Sequence, residues 1–463
     1  MTNTPYAPPA PEIFKAYDIR GIVDRTLTVD SVRAIGHALG SEALARGQRE
    51  IAIGRDGRLS GPALAGALAD GIRAAGLDVV DIGCVPTPLT YFAAHYLGTD
   101  SCVSVTGSHN PPDYNGLKMV LGGETLHGAQ IQALRQRILD GELSTGQGAL
   151  RSADVTAAYI ERVIEDIRLA RPMKIVVDCG NGVAGGIAPE LFRRLGCEVV
   201  ELFCEVDGNF PNHHPDPSKP ENLQDVIRTL QATDAELGLA FDGDGDRLGV
   251  VTKEGQIIYP DRQLMLFAQD VLSRVPGGEI IYDVKCSRNL ARWVRQHGGT
   301  PTMWNTGHAL VKAKLKETGA PLAGEMSGHM FFKERWYGFD DGLYSGARLL
   351  EILSTHPDAS SVLNALPDAV STPELNIQMN EGEPFELVRR LREQARFSGA
   401  EDIITLDGVR VEYTDGFGLA RASNTTPVVV LRFEADNEAA LSRIQSDFRT
   451  ALNTVWPGAT LPF

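Results

Sequence analysis

The chain has 463 residues, 43% hydrophobic and 22% charged, with 60 acidic against 44 basic side chains and a net charge of −16. That length exceeds one ordinary core and suggests about three or four domains; the composition excludes a disordered chain, and the acidic balance argues against a nucleic-acid binder, which needs a cationic face. No run reaches the roughly 20 apolar residues that span a bilayer. No apolar leader marks the first residues, and the six cysteines are scattered without a C-x-x-C pair. A cytoplasmic, reduced setting with no membrane partner is therefore expected.

The first predicted strand covers 50–54 and leads through a polar loop to a helix over 62–75. Pro62 suits the first helical position, Leu64, Leu68 and Ile72 form one apolar stripe, and Gly76 stops the helix. A strand over 79–82 follows. The same order returns with a strand over 174–177, a helix from Pro189 to the stop at Gly196, and a strand over 199–203. It returns again with a strand over 279–282, a helix capped by Ser287 and stopped near Gly298, and a strand over 301–304. Strand, helix and strand in this order indicate parallel α/β units. Their spacing, above about 100 residues, makes them repeated domains rather than solenoid units.

The last hundred residues differ. A helix over 385–395 precedes strands over 409–411, 419–421 and 428–433, then a helix over 438–452. Asp407-Gly408 and Asp415-Gly416 are hairpin signals, so this is an antiparallel α+β module. Residues 366–373, rich in turn formers, are the expected linker. The predicted divisions are 1–153, 154–256, 257–368 and 369–463.

A polar loop follows each α/β unit. Thr106-Gly107-Ser108-His109-Asn110-Pro111 places a hydroxyl on a tight turn after the strand-like run 103–105, with His109 and Lys118 nearby. A serine that merely caps its own turn reads equally well from these residues alone. Asp242-Gly243-Asp244-Gly245-Asp246-Arg247 puts carboxylates at alternate positions in a hairpin between 237–241 and 248–252. A calcium-binding helix–loop–helix site needs glycine sixth and an acid twelfth, where this chain has Arg247 and Lys253. A phosphatase with a nucleophilic aspartate would leave Ser108 unexplained. Three carboxylates so close repel one another unless a cation intervenes, and hard oxygen ligands beside a phosphate favour Mg²⁺. Together the two loops suggest phosphoryl transfer through a covalent phosphoserine.

Gly324-Glu325-Met326-Ser327-Gly328-His329 offers a carboxylate and a hydroxyl that could pair with sugar hydroxyls, or an ordinary polar turn. Arg421-Ala422-Ser423-Asn424-Thr425-Thr426 is a donor-rich bend suited to a phosphate, or a solvated turn. Such loops could converge on one cleft. His213-His214, set among prolines, reads as structural rather than as a metal pair, and Trp304 and Trp336 read as packing residues.

These motifs, with Tyr17-Asp18-Ile19-Arg20-Gly21, resemble in order those of the α-D-phosphohexomutases, and the resemblance covers the whole chain. Methionine at 326 favours the glucose/mannose branch over the phosphoglucosamine mutases, the runner-up. The resemblance implies three related α/β domains and a mobile fourth in a heart shape around a central cleft. It implies that Ser108 carries the phosphoryl group and that Asp242, Asp244 and Asp246 hold Mg²⁺ with it. Glu325 and Ser327 are implied sugar contacts, and Tyr17, Lys285, His308, Met326, Gly328 and His329 further substrate contacts; Arg421, Ser423, Asn424 and Thr425 are implied phosphate contacts. Arg20 and Arg247 are expected to assist, His109 to neighbour the reaction, and Lys118 or His329 to serve as base. Glucose 1,6-bisphosphate is the implied activator and intermediate, and a monomer is expected. A non-catalytic sugar-phosphate sensor with a regulatory phosphoserine is the rival of a different class.

Overall fold

The computed structural model describes residues 6–463. The first sheet runs in the order Ile19–Ile22, Tyr114–Leu121, Cys102–Val105, Glu50–Arg55, Asp78–Cys84, Leu150–Ser152, with Glu124–Thr125 paired to Tyr114–Leu121. Cys102–Val105, Glu50–Arg55 and Asp78–Cys84 are parallel, as the first α/β unit requires. The crossover helix Gly61–Ala75 ends on Gly76 in a left-handed conformation, which releases the chain without a Cβ clash. A helix that the pattern did not reveal, Val29–Ala45, packs beside it; Thr28 and Ser31 close its first turn reciprocally.

The second sheet is ordered Ile257–Ile258, Leu248–Thr252, Leu237–Phe241, Lys174–Asp178, Glu198–Leu202, and the third Thr300–Trp304, Glu279–Asp283, Leu322–Gly324, Met330–Phe332. Each repeats a parallel core with an antiparallel strand on one side. The fourth sheet is antiparallel along Val370–Ser371, Val428–Ala435, Gly416–Ala422, Val409–Tyr413 and Asp402–Ile404. Residues 366–373 are not a free tether. Val370 and Ser371 pair with Ala435 and Glu434, which stitches the segment into the fourth sheet; Pro373, which lacks an N–H, comes only after the paired residues.

One hydrophobic core spans the first three domains, the first domain has a second core of its own, and the fourth shares in neither. At the common junction Phe92 meets Tyr159 edge-on and Trp336 face-on, and Trp336 stacks on Tyr344 at 4.2 Å. Trp336 is thus a packing residue, as read from sequence, and Trp304 lies under Lys314. The fourth domain docks on the third through a set of polar contacts around a small apolar cluster of Val284, Phe417 and Leu419. Arg410 donates to the carbonyls of Val284 (2.6 Å) and Cys286 (2.7 Å), and Ser287 donates to Glu434 (2.8 Å). No helix among the described residues is long and apolar enough to cross a membrane.

Candidate active site

Parallel strands deliver their loops to one end of a sheet, where ligand sites form in α/β folds. Here Cys102–Val105 delivers Ser108, Leu237–Phe241 delivers the aspartates, and Leu322–Gly324 delivers Glu325. The loops converge on a cleft of about 460 Å³ that the fourth domain closes with Arg421, Ser423 and Thr425.

Ser108 is buried, with φ +50°, an uncommon conformation for a residue with a side chain. Its Oγ lies 3.2 Å from Asp242 Oδ2 and 3.1 Å from His109 Nδ1. Two residues that the sequence reading passed over hold this loop in shape, Asp56 and Arg58. The fully buried Arg58 guanidinium donates to the carbonyls of Ser108 (2.8 Å), Asn110 (2.6 Å), Pro111 (2.5 Å) and Tyr114 (2.9 Å). Asp56 accepts from Thr106 Oγ1 (2.8 Å), Gly107 N (3.0 Å) and Arg58 Nε (3.2 Å). Gly107 is required because a Cβ there would lie 2.3 Å from Arg58 Cζ. The available signal was Asp56-Gly57-Arg58, a polar turn just past a parallel strand.

The aspartates lie beneath the cleft, each fully buried. Thr87 donates to Asp244 (2.6 Å), and Lys118 reaches Asp244 (2.8 Å) and Asp246 (2.5 Å). Burial and the neighbouring carboxylates push Asp242 and Asp246 above the usual carboxylate range. Burial acts on Asp244 too, but the Lys118 ammonium overrides it and holds Asp244 well below that range. Asp244 Oδ1 and Asp246 Oδ1 accept no hydrogen bond among the described residues. One ammonium against three converging carboxylates, with buried oxygens unpaired, is a donor set that fits a divalent cation. The ligand atoms of the three lie within 4.8 Å of one another. Asp246, His329 and Asp340 form a second such group, but Lys312 already faces Asp340 at 3.0 Å.

His329 Nδ1 lies 3.1 Å from Asp340 Oδ2, and Arg247 Nε donates to His329 Nε2 at 3.1 Å. Arg20 donates to Asn110 (2.7 Å) and Asp18 (2.5 Å). Burial, then the Arg247, Arg20 and Lys118 charges, push the His109 imidazole well below its ordinary value. Tyr17 meets His308 edge-on, and both His308 nitrogens lack hydrogen-bond partners among the described residues. Glu325 Oε2 accepts from Gly307 N (3.0 Å), while its Oε1 and Ser327 Oγ are buried without a partner. Lys285 donates to Glu374 (2.6 Å), and Arg421 to Asp407 (3.1 Å).

The structure thus brings Tyr17, Arg20, Ser108, His109, Lys118, Arg247, Lys285, His308, Glu325, Ser327, His329, Arg421, Ser423 and Thr425 to one cleft. Three expected contacts fall elsewhere. Met326 is half-buried against the shared core and lines an adjoining cavity that shares Ser327 and Glu374 with the cleft. Asn424 turns to a surface depression beside Phe14 and Phe385. Gly328 contributes backbone, its carbonyl accepting from Leu248 N at 3.3 Å. His213 and His214 diverge, as expected: His213 pairs with Asp178 at 3.0 Å, and His214 bonds the His109 carbonyl. Glu374, Asn376 and Gln378, unforeseen, add polar walls from the start of the fourth domain.

A buried hydroxyl, an acidic trio and an anion-ready bend around one cleft define a protein that handles phosphorylated small molecules. Four consecutive family matches cover this architecture: phosphoglucomutase/phosphomannomutase alpha/beta/alpha domains I (residues 11–144), II (157–255) and III (259–370), and the C-terminal domain (374–451). The chain belongs to the phosphoglucomutase/phosphomannomutase family. It is 58% identical to a Pseudomonas aeruginosa phosphomannomutase/phosphoglucomutase over 100% of both chains. It is 57% identical to a Neisseria gonorrhoeae phosphoglucomutase over 96% of this chain and 98% of that one. A Burkholderia thailandensis family structure matches with TM-score 0.94 and 66% identity, covering 98% of this chain and 100% of that one.

Proposed function

We propose that this chain is a phosphohexomutase that interconverts the 1- and 6-phosphates of glucose and mannose through a phosphoserine at Ser108. The observation that carries the reading is the placement of the Ser108 hydroxyl 3.2 Å from Asp242 at one end of a cleft whose other end is the Arg421 bend. A mutase needs both ends occupied, one phosphate reacting and one held.

In the forward turn, O6 of a hexose 1-phosphate attacks the phosphorus on Ser108. The O6–P bond forms as the Oγ–P bond breaks; His329, freed from Arg247, takes the O6 proton and passes it to the departing Ser108 Oγ. The resulting 1,6-bisphosphate turns end for end. Ser108 Oγ then gives up its proton to His329 as it attacks the phosphorus at position 1, the O1–P bond breaks, and the same proton passes to O1, leaving hexose 6-phosphate and phosphoserine. Asp242, Asp244, Asp246 and a phosphoseryl oxygen would hold Mg²⁺, which supplies neutralisation of charge on the migrating group.

Lys118 suits charge stabilisation better than base work. Burial opposes its charge, yet Asp244 and Asp246 raise its pKa above the ordinary lysine value. His329 has the opposite arrangement: Nε2 accepts from Arg247, which places the ring proton on Nδ1 facing Asp340. Its single lone pair, on Nε2, is engaged by Arg247, so His329 can take a proton only once Arg247 turns to the phosphoryl oxygens. Arg20 and Arg247 steady the phosphoryl oxygens, Glu325 and Ser327 read sugar hydroxyls with their unpaired oxygens, and Arg421, Ser423 and Thr425 grip the idle phosphate. Glucose 1,6-bisphosphate would restore a dephosphorylated enzyme by donating to Ser108. A monomer acting on a cytoplasmic pool of sugar phosphates is the expected setting.

Intact-protein mass spectrometry with peptide mapping tests this directly, with a phosphoryl group expected on Ser108. Turnover of glucose 1-phosphate and mannose 1-phosphate should exceed that of glucosamine 1-phosphate. Dominance of glucosamine 1-phosphate overturns the choice of hexose, and phosphate on another residue overturns the mechanism.

A further inference from the structure

A second cavity, of about 340 Å³, lies where the first and third domains meet, and the mutase reading does not use it. The helices Thr87–Tyr96 and His308–Thr318 flank it. Ala94, Leu315 and Phe339 give it an apolar lining, and a stack of rings stands beside them. His95 lies on Tyr337 at 4.8 Å and 21°, and Tyr337 on Phe339 at 5.8 Å and 2°. Three ammonium groups, Lys312, Lys316 and Lys333, face two carboxylates, Asp100 in the lining and Asp340 3.0 Å behind Lys312. In a chain of net charge −16, such a local excess of cations selects an anion. Tyr91, also in the lining, has a buried hydroxyl with no hydrogen-bond partner among the described residues.

We propose that this cavity binds a flat aromatic carboxylate and that its occupancy slows the mutase. The ring lies against the stacked side chains, where offset stacking adds to burial, and the carboxylate meets the lysines. The volume fits a bicyclic ring, at the small end of ligand pockets. The connection to the reaction runs through one helix. Lys312 and His308 stand one turn apart on the same face; His308 lines the cleft, whereas Lys312 lies 4.0 Å above the Tyr91 ring and 3.0 Å from Asp340. An anion that draws Lys312 away leaves Asp340 without its counter-ion beside His329. The binding claim stands on the cavity alone, while the coupling rests on the mutase reading.

2-Naphthoate serves as probe, titrated calorimetrically into the full chain. One site is expected, unaffected by saturating glucose 1-phosphate, with 2-naphthamide binding about tenfold weaker or worse. Lys316→Glu combined with Lys333→Glu, both on the surface, should weaken naphthoate by about tenfold or more and leave kcat within about twofold. Ala94→Trp should fill the cavity and abolish binding. No measurable heat, displacement by glucose 1-phosphate, or equal affinity in the charge-reversed variant overturns the site. In the active enzyme, naphthoate should lower kcat at unchanged KM; full kcat at saturation overturns the coupling. A chain that binds naphthoate but turns over no hexose phosphate overturns the functional reading instead and leaves the site standing.

Discussion

Around Ser108 the cleft is buried and cross-braced between domains, whereas the Arg421 bend is partly exposed and bonded mainly to itself. Lys118 of the first domain pairs with Asp244 and Asp246 of the second, Thr87 N donates to the Asp244 carbonyl (2.9 Å), and Leu248 N to the Gly328 carbonyl of the third (3.3 Å). A Cβ at Gly243 would lie 2.4 Å from the Ser108 carbonyl, so these loops touch backbone to backbone. In the bend, by contrast, Ser423 Oγ accepts from Thr425 N and Thr426 N (both 3.3 Å), and Thr426 is exposed. The difference separates two tasks. Transfer needs atoms fixed to a fraction of an ångström, while a phosphate that must be released and regripped is better served by a bend on a separately cored domain.

Five measurements would break or sharpen that contrast. The largest effect is expected at the reacting end. Ser108→Ala should lower kcat by about a thousandfold or more, the scale for removal of a nucleophile, with little loss of thermal stability. Chelation of divalent ions should abolish activity until Mg²⁺ is restored. Full turnover after either treatment removes the phosphoserine reading.

Next comes Arg58→Met, which leaves Asp56 buried without its partner and should cost about 3–5 kcal/mol of stability in a denaturant titration. In the surviving folded enzyme kcat should drop with KM little changed, since the loop is displaced while the grip on the idle phosphate is intact. An equal rise in KM would show that the two ends are not separable. Arg421→Ala is the converse. Loss of a charge-assisted hydrogen bond is worth about 1.5–3 kcal/mol, or roughly 10- to 150-fold in KM, with a lowered melting temperature as well, because Asp407 loses its buried partner.

The smallest effect concerns pH. Burial pushes the Glu325 carboxyl from 4.5 to about 7, with Asp283 adding and His329 and Lys285 opposing. Below pH 4.5 the group is protonated in both folded and unfolded chains. Between there and pH 7 only the unfolded chain has lost the proton, so stability falls as pH rises and then levels off. The contribution is at most about 3 kcal/mol. Glu325→Gln should flatten that decline in melting temperature between pH 5 and 7, and an unchanged slope would place the titration elsewhere.

What the sequence disclosed and what it hid follow the same physical line. Ser108 and the three aspartates were legible because their chemistry is written in consecutive residues at the ends of recognisable strands. Asp56, Arg58, Thr87 and Asp340 were not, because each acts only across a tertiary contact; Thr87 meets Asp244 157 positions away in the chain. The helix Glu383–Gln394 begins ahead of the expected 385–395, since Pro384 fits the first turn. The helix Gly342–Ser354 went unread because Asp340-Asp341-Gly342 resembles a turn, yet Asp341 caps it by accepting from Tyr344 N at 2.9 Å.

The positive φ of Ser108 carries a restriction on what can stand there. A left-handed backbone tolerates serine at modest cost, but a side chain branched at Cβ is crowded in that region. Threonine, chemically as able to bear a phosphate ester, is therefore barred from this turn by its methyl group. The choice of amino acid at the reacting position is set by a torsion angle as much as by reactivity.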